Sequence, residues 1–347
     1  MFPILFGILV TVSTLANSAK PLHLEWRGSF ERNLSAYNLF QDATAQTPNA
    51  GLVPFDVATP LFSDYADKHR FVYLQPGTHA EYRPEGPFDL PVGAALVKTF
   101  SYPLDARAPE QGHRLIETRL LIHTPDGWKG AAYVWNDAQT DAALKVAGAE
   151  IDVSWIDTNG ESRGTKYLVP NMNECRMCHR GVTGVVGPLG IKARQFNRGF
   201  AYATGASNQL DYWREQEMLE GAPPSAETHA PRWDDATASA ESRAFAYLDA
   251  NCAHCHNPNG LASHTNLDLR YVQDGPAHRG INKRASAAGN ASRDRLYAII
   301  AGDPDASFLL HRMRSIKPDV RMPPIGRTLI HEEGAALIAE WIRELAP

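Results

Sequence analysis

The sequence predicts an α+β chain, with an antiparallel, β-rich and sandwich-like N-terminal region followed by a mainly helical C-terminal region. Three observations lead there. Short segments of aromatic and β-branched residues recur between turn residues as far as Pro170. Beyond that point apolar residues take helical spacing instead, around residues 239–251 and again at Leu337, Ile338, Trp341, Ile342 and Leu345. Within this helical region a single motif occurs twice, as Asn173-Glu174-Cys175-Arg176-Met177-Cys178-His179 and as Asn251-Cys252-Ala253-His254-Cys255-His256, and the two copies use all four cysteines.

A chain of 347 residues, 44% hydrophobic, has room for two or three ordinary domains. Its formal charge of −5 leaves no basic footprint, which argues against nucleic acid and anionic membrane surfaces as partners. Residues 2–16 are uncharged and apolar and run into Ala16-Asn17-Ser18-Ala19. That arrangement predicts a secretory signal over residues 1–19, cleaved near Ser18 or Ala19, and a periplasmic product with no stable membrane insertion after cleavage. The run is short for a membrane span, its first positive charge is Lys20, and a retained N-terminal anchor is the competing reading. No cysteine stands at the cleavage region, which excludes a lipoprotein.

Residues 20–170 are assigned to the β-rich domain. Phe71-Val72-Tyr73-Leu74 stops at Pro76-Gly77, and residues 95–102 stop at Pro103. Residues 115–122 and 131–135 flank Pro125-Asp126-Gly127, a hairpin signal, and Ile151, Val153 and Trp155 alternate with polar residues before Asn159-Gly160 turns the chain into residues 166–169. His69, His79, His113 and His123 fall on separate segments and are expected to be solvent-facing or satisfied loop residues. Phe62-Ser63-Asp64-Tyr65-Ala66 and Tyr133-Val134-Trp135-Asn136 are aromatic-polar clusters that suit a ligand surface or plain core.

Residues 171–238 are assigned to a first motif segment with a linker. Gly181, Gly184, Gly187, Pro188 and Gly190 predict a wrap rather than a helix, residues 208–219 have helical character, and the Pro-rich, acidic residues 221–237 predict an exposed linker. In residues 239–347, an amphipathic helix leads into the second motif. Asp303-Pro304 predicts the start of another that carries Phe308, Leu309 and Met313, and Glu332 and Glu333 suit the positive end of the last.

Cys-x-x-Cys-His is a haem attachment pattern. Thiols three residues apart reach the two vinyl groups of one porphyrin, and the next residue then supplies an imidazole to the iron. Two covalently bound haem c groups follow, one on Cys175 and Cys178 with His179 as iron ligand, the other on Cys252 and Cys255 with His256. Redox dithiols, one zinc site built from both Cys-x-x-Cys pairs, or two local disulfides compete with this, but each leaves the histidines unused. In Arg321-Met322-Pro323-Pro324 the prolines hold the backbone extended, so Met322 is expected to project from a loop as second ligand of the His256 iron, in preference to Met313, His311 and His331. His254 is expected to be exposed. For the His179 iron, Met218, His229 and His123 are candidates and Met177 is excluded as lying within the motif, so this iron is expected to be weakly ligated, to be open or to borrow its ligand from the β-rich domain, and to bind carbon monoxide.

With these residues in place, the C-terminal region resembles a class I c-type cytochrome domain in the order Cys-x-x-Cys-His, Met-Pro-Pro loop, Trp-Ile helix. The chain as a whole resembles a family of exported bacterial dihaem c-type cytochromes, through Thr59-Pro60-Leu61-Phe62-Ser63-Asp64-Tyr65, Ile116-Glu117-Thr118-Arg119-Leu120-Leu121, Trp135-Asn136-Asp137-Ala138-Gln139-Thr140-Asp141 and the second motif. The resemblance implies haem binding and single-electron transfer between redox partner proteins, a donor and an acceptor, with no catalytic residue assigned. Two other functions fit the same motifs: a dihaem peroxidase- or oxidase-like enzyme with an open iron at His179, or a ligand-binding β domain whose haems sense redox state.

Overall fold

Six antiparallel strands make the main sheet, in the order β1 (Leu52–Phe55), β2 (Asp67–Tyr73), β3 (Ala95–Pro103), β4 (His113–Thr124), β5 (Gly127–Trp135) and β6 (Ala142–Leu144). The computed structural model describes residues 21–180, 185–224, 229–273, 275–286, 289–292 and 294–346. The expected signal over residues 1–19, together with Gly181 and Gly184 of the expected wrap, lies outside them. Strands β4 and β5 are joined at Asp126-Gly127, where Gly127 takes φ +97°, a value that residues with a Cβ rarely adopt. A second hairpin, β7 (Ala149–Ile156) and β8 (Ser162–Val169), closes the same way at Gly160, φ +83°.

Side chains alternate across the sheet, so its two faces have different coverings. On one face Phe71, Val97, Leu120 and Tyr133 are buried beneath Leu24, Leu34, Tyr37 and Leu39 of the chain that precedes β1. On the other face the β7–β8 hairpin covers one end, where Phe100, Tyr102 and Ile116 meet Val153, Trp155 and Tyr167. Val72, towards the other end, packs with Ile191, Phe196 and Trp213. The second layer is thus one hairpin and a folded segment, neither a closed barrel nor a full second sheet. The middle of this face stays free of apolar cover.

The longer helices are α1 (Met172–Cys178), α2 (Gln209–Glu215), α3 (Ala240–Asn251), α4 (Phe308–Met313) and α5 (Glu332–Glu344). Helices α3 and α5 bury their apolar stripes against one another, with Ala244 and Leu248 among Leu337, Ile338, Trp341 and Ile342, and with Phe245 edge-on to Trp341 at 5.6 Å.

Several expectations need correction. Helix α4 starts at Phe308, not at Asp303, because the Asp303 carboxylate accepts the Ala306 N–H and Ser307 Oγ donates to the Asp303 carbonyl, which closes a turn first. The helix expected over 208–219 ends at Glu215, and Leu219–Glu220 pairs instead as a short parallel strand with Ala80–Glu81. The expected linker is pinned where it is described: Ala230 N–H donates to the Arg194 carbonyl, Thr59 Oγ1 to the Pro231 carbonyl, and Trp233 packs beside Tyr247 and His331. Residues 225–228 of it lie outside the described residues.

The β-rich and C-terminal regions interlock through Leu61-Phe62-Ser63-Asp64-Tyr65. Asp64, buried and at φ +52°, accepts from the backbone N–H groups of Thr328 and Leu329 and from the Thr328 hydroxyl, all at 2.8–2.9 Å. Phe62 N–H donates to Asn251 Oδ1 at 2.8 Å, and the Tyr65 hydroxyl donates to Glu333. The aromatic-polar cluster 62–66 therefore serves as a clasp, while Tyr133 and Trp135 are core.

Candidate functional site

Both motifs are presented by a helix end, and each faces a cavity. Helix α1 starts with a capping box: the Asn171 side chain accepts from the N–H groups of Asn173 and Glu174, and the Glu174 carboxylate accepts from Asn171 N–H. That fixes the start of a seven-residue helix, so Cys175 and Cys178 fall on its last turn and His179 on its C-cap. The helix lies directly on β5, where a Cβ on Gly130 would be in van der Waals contact with Cys175 Cβ at 3.6 Å.

His179 Nδ1 lies 2.9 Å from the Gly187 carbonyl. A carbonyl only accepts, so Nδ1 carries the proton and Nε2 keeps its lone pair. Burial, helped by Lys98, pushes the imidazole down to about 4, so it is neutral at pH 7. Burial also raises both thiols, Cys178 to about 11. Reactive dithiols require the opposite shift.

The cavity at this motif measures 470 Å³, within the roughly 300–1,000 Å³ span of cofactor sites. Its floor is the free middle of the sheet. Register places Arg70 opposite Lys98 and Lys98 opposite Arg119, three cations side by side on strands β2, β3 and β4. Like charges in direct cross-strand contact destabilise a sheet. Arg70 is paired with Asp56 at 2.7 Å and Arg119 with the buried Glu117, but Lys98 has no ion pair or hydrogen bond among the described residues. Lys68, Lys98 and Arg119 instead ring the face of Phe100 at 5.6, 5.1 and 4.3 Å. Burial, with Arg119 and Arg70 nearby, pulls Lys98 down to about 7. Such a floor suits a ligand that carries negative charge.

At the second motif, α3 ends at Asn251 and the chain continues in tight turns, with the His256 N–H donating to the Cys252 carbonyl. Asn257, fully buried, donates to the Ala253 carbonyl. Gly260 is required here: a Cβ would meet the Cys255 carbonyl oxygen at 2.2 Å. His256 Nδ1 lies 3.1 Å from Thr265 Oγ1, whose own proton goes to the Ala262 carbonyl at 2.7 Å. Thr265 therefore accepts from Nδ1–H, and Nε2 of His256 is again bare. Burial pushes this imidazole down to about 4, with Arg312 adding to the effect, and pushes the Cys252 thiol up to about 12.

This second cavity, 110 Å³ and largely apolar, is lined by Cys252, Cys255, His256, Leu269, Phe308 and Met322. Met313 also reaches it, from the packed face of α4. The Met322 loop is tied down by Arg327. Its buried guanidinium donates to five carbonyls, those of Arg312, Met313, Ser315, Met322 and Leu329. His331 stacks on Phe62 at 4.3 Å and bonds the Tyr247 hydroxyl, and neither it nor His311 lines this cavity.

The candidates for the far side of the first cavity are not there. Met218 packs into the core around Trp213, His123 stacks on Trp128 with Nδ1 at the Leu90 carbonyl, His229 lines neither cavity, and Met177 is exposed. His254, expected to be exposed, is instead half-buried in the wall of that cavity. The motifs are close: after burial, Cys255 adds to the raising of Cys178, and His254 is among the groups that lower His179. His69 and His113, expected apart, meet with ring centroids 6.1 Å apart.

All four cysteines are free thiols, and among the described residues no group of three or more His, Cys, Asp or Glu is gathered as around a metal ion such as zinc. No described helix is long and apolar enough to cross a membrane. Compared with family models, curated proteins and solved structures, the chain finds no match in any of the three.

Proposed function

We propose that this chain is an exported, periplasmic dihaem c-type cytochrome that passes single electrons between a donor and an acceptor protein. One observation carries the reading: each Cys-x-x-Cys-His motif lines its own cavity with two unpaired thiols and an imidazole whose Nδ1–H is engaged and whose Nε2 is bare. A dithiol or disulfide gives no reason for that tautomer, whereas an iron ligand requires it.

Cys175, Cys178, Cys252 and Cys255 would hold the two groups by thioether bonds, with His179 and His256 as iron ligands and Met322 beside His256. Bound haem supplies one-electron chemistry at iron, and His/Met ligation favours the reduced state. The residues around it do the rest. Apolar walls exclude water from the second cavity. At the first, Lys68, Lys98 and Arg119 offer positive charge to acidic substituents. Arg327 holds the methionine loop, and Asp64 holds the sheet against it.

A pyridine haemochrome assay on the purified full-length protein tests the proposal. Two covalent haems per chain are expected. One or none, or haem lost to acid-acetone extraction, overturns it.

A further inference from the structure

We propose that His254 is the second axial ligand of the iron held by His179, so that one residue of the second motif completes the first site. This deepens the dihaem reading and rests on it. An iron with an imidazole on one side becomes six-coordinate and low-spin when a nitrogen or sulfur donor binds opposite. Of the residues that line the first cavity, His254 is the one imidazole besides His179, and no methionine is among them. Three lysines line it as well, but Lys68 donates to the Ala66 carbonyl, Lys192 is ion-paired with Asp249 at 2.9 Å, and Lys98 lies over the Phe100 ring.

His254 is prepared for such a role. Among the described residues its ring makes no hydrogen bond, although the neighbouring main chain is tightly held. Asn257 Nδ2 donates to the His254 and Ala253 carbonyls, and Asn251 caps the end of α3 through the Tyr247 carbonyl. The ring is half-buried at the cavity wall, with both nitrogens open to another group. The backbone is fixed while the ring is left for another group. His254 also borders the second cavity, between Cys252 and Cys255. A ligand of one iron and an anchor of the other would then be adjacent in sequence, which gives the two sites a covalent path two residues long. Both irons would be closed, in place of the open iron expected from the sequence.

The test uses the full-length protein with its haems, by ferric electron spin resonance and by carbon monoxide titration of the reduced form. Wild type is expected to be low-spin throughout and to bind no carbon monoxide. His254→Ala should retain two haems by pyridine haemochrome, turn one iron per chain high-spin, and bind one carbon monoxide per chain, and added imidazole should restore the low-spin spectrum. Met218→Leu, at a residue that lines neither cavity, should leave the spectrum unchanged. A high-spin or carbon monoxide-binding wild type overturns the assignment, as does a His254→Ala protein with both irons still low-spin. Should that variant not accumulate with haem, the wild-type spin state decides alone. Fewer than two haems in wild type is a different result, and removes the dihaem reading itself.

Discussion

Replacing Arg327 with lysine keeps the charge and the aliphatic stem but should detach the Met322 loop. The guanidinium serves five carbonyls at 2.8–3.2 Å, whereas an ammonium has three donors. At least two of the five carbonyls then lose their bond to this side chain. A hydrogen bond from a charged donor contributes about 1.5–3 kcal/mol, and the lower figure applies because Nη2 is shared among four acceptors. Losing two gives roughly 3 kcal/mol, or about a hundredfold in the opening equilibrium of the loop. Native-state hydrogen exchange reads that opening at Met322 N–H, which donates to the Arg312 carbonyl at 3.0 Å. Protection at this amide should fall by about two orders of magnitude. If it changes by less than about threefold, the loop is held by its prolines and not by Arg327.

Met322→Ala should abolish the weak near-infrared sulfur-to-iron band and lower the potential of that site; if Met313→Ala does so instead, Met313 is the thioether ligand. Asp64→Asn keeps the left-handed backbone, which asparagine tolerates, but presents an NH₂ to Thr328, at a cost of about 2 kcal/mol in urea unfolding; an unchanged midpoint would show that the clasp is not needed. For Asp249, burial pushes the carboxyl up, but the ion pair with Lys192 and the Tyr271 N–H outweigh it and hold the value below its usual range. Its folded pKa is thus depressed, so the stabilisation is present above the unfolded value near 4 and is lost as pH falls through the folded one. Unfolding midpoints taken from about pH 5 downward should decline in wild type and decline less in Lys192→Met.

Much of the fold is legible locally. The strands from residue 67 to 169 and the hairpin turns at Gly127 and Gly160 follow from alternation and turn chemistry, and helices α3 and α5 from their apolar stripes. The motif residues are a spacing pattern that a single helical turn enforces. What the sequence conceals depends on register and on long-range contact. Arg70, Lys98 and Arg119 look like scattered surface charges until pairing sets them in one row. His254 reads as a spare position because nothing local says which side of the turn meets the first cavity. Arg327 carries no motif at all, and its role comes from five carbonyls that other segments bring to it. The start of α4 differs from expectation because an Asp-Pro pair opens turns as readily as helices.

The Asp64 clasp joins residues 264 and 265 positions apart. Contacts of such sequence separation form late, after the loop between them has been closed against its entropy. The chain therefore has an interval in which both Cys-x-x-Cys-His turns have been synthesised while the C-terminal region has not yet docked on the β-rich one. On the dihaem reading that interval is when an attachment enzyme can reach the thiols. A tighter clasp would shorten that interval, and a looser one would prolong it.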